Sequence, residues 1–211
     1  MPKLIVVGAG GCGRDVMHWA YQASLAGAPW EVSGFLDDNP VALEGLKTTH
    51  PLLGSIAAWQ PREGELFLCA IADPSVRSRL VASLLAKGAC FTTLVHPTAT
   101  VVATASIGTG SIISPFCVIS DNARVGEHVF INVHSAIGHD ASVGDYATIC
   151  SYCDVTGGVQ LGEKVYLGSH VTVVPQMKVG AEAFLCAGSV VVNHIASGAR
   201  VMGNPAKRFT I

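Results

Sequence analysis

At 211 residues the chain is long enough for one large domain or two small ones. Half of it is hydrophobic, only 13% is charged, and the net charge is −2. With no long basic run, no nucleic-acid partner is expected. No apolar stretch reaches the roughly 18 residues of a membrane-spanning helix, so no membrane span is expected.

Pro2 and Lys3 lead directly into a short apolar stretch, residues 4–7. That stretch is too short for the core of a signal peptide, and a cytoplasmic protein is expected. Residues 3–7 read as a buried strand. Gly8-Ala9-Gly10-Gly11-Cys12-Gly13-Arg14 follows, a G-x-G-x-x-G loop. Residues 15–26 have helical character, and Gly27-Ala28-Pro29 closes them. A second strand over 30–36 ends on Asp37-Asp38-Asn39-Pro40, and residues 41–51 read as a loop. Ser55 is placed to cap a short helix over 56–59. Residues 65–71 form a third strand. Asp73 caps a helix with Pro74 at its first position, running to about Lys87. Residues 91–95 are a last strand that hands the chain on. The pattern predicts a small parallel α/β domain, Rossmann-like, over residues 1–94.

The glycine loop follows a strand, opens a helix, and has acidic residues (Asp37, Asp38) some two dozen positions on. In that setting Gly8, Gly10, Gly11 and Gly13 form a phosphate-cradling turn, with free backbone N–H groups at the helix start. Asp37 is placed to bond a ribose hydroxyl. Three readings stay open: close helix–strand packing alone, a nicotinamide-dependent oxidoreductase, and a site for a nucleotide-sugar diphosphate. The domain is short for two mononucleotide-binding halves, which weighs against the oxidoreductase.

From Val95 every sixth residue is Val, Ile or Leu: Val95, Val101, Ile107 and so on to Leu185 and Val191, 17 matches without a gap. Neither a helix nor an ordinary strand has that period; a hexapeptide β-helix does. Each aliphatic residue is expected to point inward and stack on the one a coil below. The residue four places later is mostly small (Ala123, Ser135, Ala141, Cys153) and fills the narrow space beside it. The residue just after the aliphatic is often Gly (Gly108, Gly126, Gly138, Gly144), expected to ease unusual φ at the corners. Residues 95–211 are assigned to this prism and its tail. The seven cysteines are odd in number and scattered, so no disulfide framework is expected. Cys150-x-x-Cys153 reads as packing, and no metal is expected.

The glycine loop, Gly34-Phe35-Leu36-Asp37-Asp38 and the hexads together resemble the hexapeptide-repeat, left-handed β-helix sugar O-acyltransferase family, in its NeuD/PglD-like group of sialic acid O-acetyltransferases and nucleotide-sugar N-acetyltransferases. The resemblance covers essentially the whole chain. It implies a homotrimer with the active site in the groove between prisms. It also implies a nucleotide-activated amino sugar on the small domain, held by Gly8, Gly10, Gly11, Gly13, Asp37 and Asp38, and acetyl-CoA along the prism as cosubstrate. Cys12 stands where the group commonly has His, and Ala72 where it commonly has Gly.

The segment Gly138-His139-Asp140 resembles the group's catalytic stretch. Imidazole titrates near working pH and suits a general base for acetyl transfer; His139 takes that role and Asp140 orients it, as the carboxylate of a triad does. Ala187-Gly188 resembles a turn that approaches CoA, and Gly203-Asn204-Pro205-Ala206-Lys207-Arg208 the family's ending, with Lys207 and Arg208 facing CoA phosphates. His134 is a weaker candidate for the same groove, and His96, before Pro97, reads as structural. The expected function is acetyl transfer from acetyl-CoA to the amino group of a nucleotide-linked sugar in bacterial surface-glycan synthesis. The alternatives are O-acetylation of a sugar hydroxyl and a non-catalytic nucleotide-binding hexapeptide protein.

Overall fold

The computed structural model describes residues 1–209. The first strand β1 (Lys3–Val7) is buried over four of its five residues and therefore sits at the centre of a sheet. Helix α1 (Gly11–Leu25), β2 (Glu31–Leu36), β3 (Leu52–Gly54), β4 (Glu65–Cys69), α2 (Pro74–Leu85) and β5 (Cys90–Phe91) follow. The sheet runs β3-β2-β1-β4-β5, and every pairing in it is parallel. Helix α1 begins inside the glycine loop, four residues before the sequence reading placed it. Residues 56–58 make only a turn, in which Trp59 N–H donates to the Ser55 carbonyl. Asp73 caps α2 as expected, accepting from the Val76 N–H at 2.8 Å.

From Leu94 to Val191 the strands are two residues long, and strands 18 residues apart pair in parallel: Val118 with Ala136, Ala136 with Asp154, Asp154 with Thr172. Three hexads make one coil, and the coils build a triangular prism. Face I carries Leu94, Ile112, Phe130, Thr148, Tyr166 and Phe184. Face II runs from Thr100 to Val190 and face III from Ser106 to Lys178. The hexad residues Ile119, Ile131, Ile137, Ile149, Val155, Leu167 and Val173 are all fully buried in one continuous core. Burying each such side chain contributes about 1.5–3 kcal/mol. Val95 holds the correct register but is 38% exposed, because no coil lies beneath it.

The glycines play a different part from the expected one. Positive φ falls two residues after them and mostly on other residue types, as at His128 after Gly126, Asp140 after Gly138, Tyr146 after Gly144 and His170 after Gly168, with φ between 52° and 60°. The residue after the aliphatic is glycine because the next coil passes directly over it. A Cβ on Gly138 would come within 2.6 Å of the Thr156 carbonyl carbon.

The small domain sits on the lower part of face I. Leu94, Ile112 and Phe130 share a core with Leu4, Val16, Met17 and Trp30. His96, read as structural, bonds Gln22 of α1 through Nε2 at 2.8 Å. Among the described residues no helix is long and apolar enough to cross a membrane.

Candidate active site

The order of the small sheet reverses at β1, with β2 on one side and β4 on the other. In open parallel sheets, ligands bind beyond the C-terminal strand ends at such a reversal. The glycine loop after β1 and the Ile71-Ala72-Asp73 loop after β4 flank that crevice. Gly13 is the packing glycine, since a Cβ there would lie 1.9 Å from the Gly8 carbonyl oxygen. Gly10 has no such neighbour. It caps α1 without a side-chain bond, at φ −67° and ψ −174°, and a Cβ added to it meets nothing within 4 Å. The open space above Gly10 and Gly11 faces the unpaired N–H groups of the helix start.

Asp37 is tied into this loop: Oδ2 accepts the Ala9 N–H at 2.8 Å and Oδ1 accepts the Asn39 N–H at 2.9 Å. Asp38 faces the 55–59 turn, where its Oδ1 accepts from Ser55 Oγ (2.6 Å) and Ala57 N–H (3.0 Å). The Ser55 hydroxyl, more than any other group, holds the Asp38 carboxyl below the usual range.

His139 and Asp140 lie where faces II and III meet. Asp140 takes the left-handed corner conformation (φ 60°), which turns its carboxylate back beside the imidazole. His139 Nδ1 and Asp140 Oδ2 are 2.8 Å apart, and the Asn122 amide one coil below donates to Oδ1 at 2.8 Å. The bonds from His139 and Asn122 hold the Asp140 carboxyl below its ordinary value. An ionised carboxylate only accepts, so Nδ1 carries the proton and Nε2 the free lone pair. The ring lies over Gly157: a Cβ there would be 2.5 Å from Nε2. Both side chains are open to solvent, 67% for His139 and 58% for Asp140.

A cleft of about 490 Å³ opens between residues 72–75 and the upper part of face I. Tyr166 and Phe184 stack in it at 4.8 Å and 5°, with the Arg200 guanidinium 5.6 Å from the Phe184 ring. Lys164 and Glu182 complete the wall. These residues were missed in the sequence because each occupies an outward hexad position, where polar and aromatic side chains are ordinary.

The expected CoA contacts lie elsewhere. Gly188 (φ 73°) and Ala187 form the I/II edge one coil above His170, with open space around Gly188. Lys207 and Arg208 are exposed in a strand paired antiparallel with Val201 and Met202 at the top of face I. His134 is also on the I/II edge, stacked between Phe116 and Tyr152. A single chain therefore gathers the crevice residues together and joins His139 to Asp140. It keeps those two groups on different sides of the prism.

Arg77 was not singled out in the sequence. The signal was its place on α2, whose buried residues are Pro74, Arg77, Val81 and Leu84. A charged residue there occupies a core position of the helix.

Residues 3–84 match the family described as the PglD N-terminal domain. A GDP-perosamine N-acetyltransferase of Escherichia coli O157:H7 is 30% identical over 135 residues, which cover 64% of this chain and 61% of that protein; the match thus spans about three fifths of the curated relative. The acetyltransferase domain of PglB from Neisseria gonorrhoeae FA1090, solved with acetyl coenzyme A, superposes at a TM-score of 0.88. It is 29% identical, and the match covers 99% of each chain. PerB from Caulobacter crescentus, solved with CoA and GDP-perosamine, shares the fold at a TM-score of 0.89 and 23% identity, over 100% of this chain and 98% of that one. The small parallel domain and the coils together superpose along their whole length on the solved PglB acetyltransferase domain, and the match to the PglD N-terminal domain family lies in the small domain, residues 3–84.

Proposed function

We propose that the protein transfers the acetyl group of acetyl-CoA to the amino group of a nucleotide-linked amino sugar. The observation that carries this reading is the His139–Asp140 pair, a base with its lone pair outward and its other nitrogen held at 2.8 Å. The amine attacks the thioester carbonyl and forms the new N–C bond. His139 Nε2 takes the proton that the nitrogen sheds, and Asp140 stabilises the imidazolium. The C–S bond then breaks, and the CoA sulfur leaves as thiolate to be protonated. The crevice at Gly10 and Gly11 supplies the nucleotide site, with N–H groups for a diphosphate. The 72–75 cleft offers the sugar a way up face I. The name of the Escherichia coli relative, an N-acetyltransferase, favours an amine over a hydroxyl acceptor.

The II/III edge with His139 is opposite face I, which carries the small domain. A complete site therefore takes the crevice of one copy and the His139 edge of another, as a cyclic trimer provides. The I/II edge supports such an assembly. Phe116, His134, Tyr152 and His170 form one stack of rings there, 4.8–5.0 Å apart, with Phe116 55% and Tyr152 52% exposed. Large apolar groups aligned at a surface mark a contact with a partner.

The test is thiol release from acetyl-CoA across UDP-, GDP- and dTDP-linked 4-amino sugars and free sialic acid. Release with one amino sugar is the expected result. Release with sialic acid alone moves the reading to O-transfer, and silence with the whole panel removes it.

A further inference from the structure

Arg77 is 1% exposed, yet its guanidinium meets no carboxylate among the described residues. Its five N–H groups meet five main-chain carbonyls instead. Nε donates to His128 (2.9 Å), Nη1 to Ile71 (2.5 Å) and Ala72 (3.3 Å), and Nη2 to Tyr146 (2.6 Å) and Ala147 (2.9 Å). Burial pushes the guanidinium down only to about 10, so it stays charged at neutral pH. An arginine buried without a counter-charge is costly unless every donor is satisfied; here the acceptors come from two separate parts of the molecule. His128 and Tyr146 are left-handed corner residues on the III/I edge of the prism. Ile71 and Ala72 form the wall of the nucleotide crevice that faces the glycine loop, with the Ile71 side chain against Gly8. The prism adds a second tether, Thr148 Oγ1 donating to the same Ala72 carbonyl at 2.6 Å.

We propose that Arg77 is a positioning residue. It clamps the Ile71–Ala72 wall of the crevice to the prism and so sets the height at which a bound nucleotide presents its sugar. This rests on the acetyl-transfer reading given above. Acetyl-CoA, lying on the prism, does not feel the clamp directly. A lysine brings three donors on a flexible stem and cannot bridge both sides as the planar fork does.

The experiment uses the full chain with Arg77→Lys, Arg77→Ala and Thr148→Val. The expected result for Arg77→Lys is a loss of about 100-fold in kcat/KM for the acceptor, the scale of a 1 Å misplacement, with KM for acetyl-CoA within about twofold. Thr148→Val moves the same way by less, and it stands in if the arginine variants do not fold. Millimolar guanidinium restores part of the Arg77→Ala activity. Equal losses for both substrates, or unchanged acceptor kinetics beside a lowered Tm, would mark a purely structural residue and overturn the proposal. Amide hydrogen exchange over residues 71–76 judges the clamp without any transfer assay. Faster exchange there, with the prism coils unchanged, supports it even if the wild-type protein acetylates no acceptor, and unchanged exchange refutes it.

Discussion

Two edges of the prism are built from the same corner turn and carry opposite chemistry. On the III/I edge, His128 takes the left-handed position with φ 52°, and its ring lies stacked on Tyr146 and edge-on to Phe91 of the small domain. It is 3% exposed, Nδ1 has no hydrogen-bond partner among the described residues, and burial with the nearby Arg77 pushes its pKa down to about 4. On the II/III edge, Asp140 holds the equivalent corner and His139 stands beside it, bonded and exposed. The repeat dictates the backbone at both places. What covers the edge decides whether an imidazole is packed among rings or open to solvent beside a carboxylate.

The largest expected effect is on the exposed edge. His139→Ala lowers turnover by about 10³-fold, the scale of a lost general base, with Tm unchanged because the side chain packs against little. Near-normal turnover in steady-state kinetics would remove His139 as the base. Ile137→Asp, just beneath it, places an unpaired carboxylate in a fully buried slot and costs several kcal/mol; calorimetry reads this as a Tm fall of about 10 °C or more. Gly157→Ala is subtler. Its methyl enters the space of the imidazole ring and shifts it from Asp140, so turnover drops about tenfold while CoA affinity is kept. An unchanged rate would show that the ring's seat is not critical.

The covered edge gives the smallest signal, read in pH. His128 has a folded pKa below its unfolded value, so the unfolded chain binds the extra proton between about pH 6.5 and 4. Its stabilising contribution is whole above about pH 6.5 and declines as pH falls towards 4, by up to about 3 kcal/mol. His128→Phe keeps the ring stack and flattens the fall of Tm over that window. An equal fall in both proteins would show that the titration lies elsewhere.

The hexads made the prism legible because one aliphatic residue per six has no other use than a repeating interior. Asp73-Pro74 announced α2 for an equally local reason, an N-cap and a first helical position. The glycine after each aliphatic was harder. Its cause is the next coil passing overhead, 18 residues away in sequence, and no local φ rule reports that. His139 and Asp140 were legible as neighbours in one hexad. The third member, Asn122, lies a full coil away, and the prism carbonyls that receive Arg77 are 51, 69 and 70 residues from it. Groups that meet only through the docking of two domains leave a trace in the sequence just where a charge occupies a core position, as Arg77 does on α2.

The central claim is that the crevice of one copy serves the His139 edge of another. Gly10→Val tests it cleanly, because the added side chain points into open space that the fold does not use. Alone, this variant is expected to lose acceptor binding with Tm unchanged, and His139→Ala alone is expected to lose turnover. The decisive measurement is acetyl transfer by mixed assemblies of the two variants, co-expressed in equal amounts. The account predicts recovery to about a quarter of the wild-type rate, the chance in a cyclic assembly that an intact crevice borders an intact base. No recovery in assemblies shown to contain both chains would contradict it, and would place crevice and base within one chain.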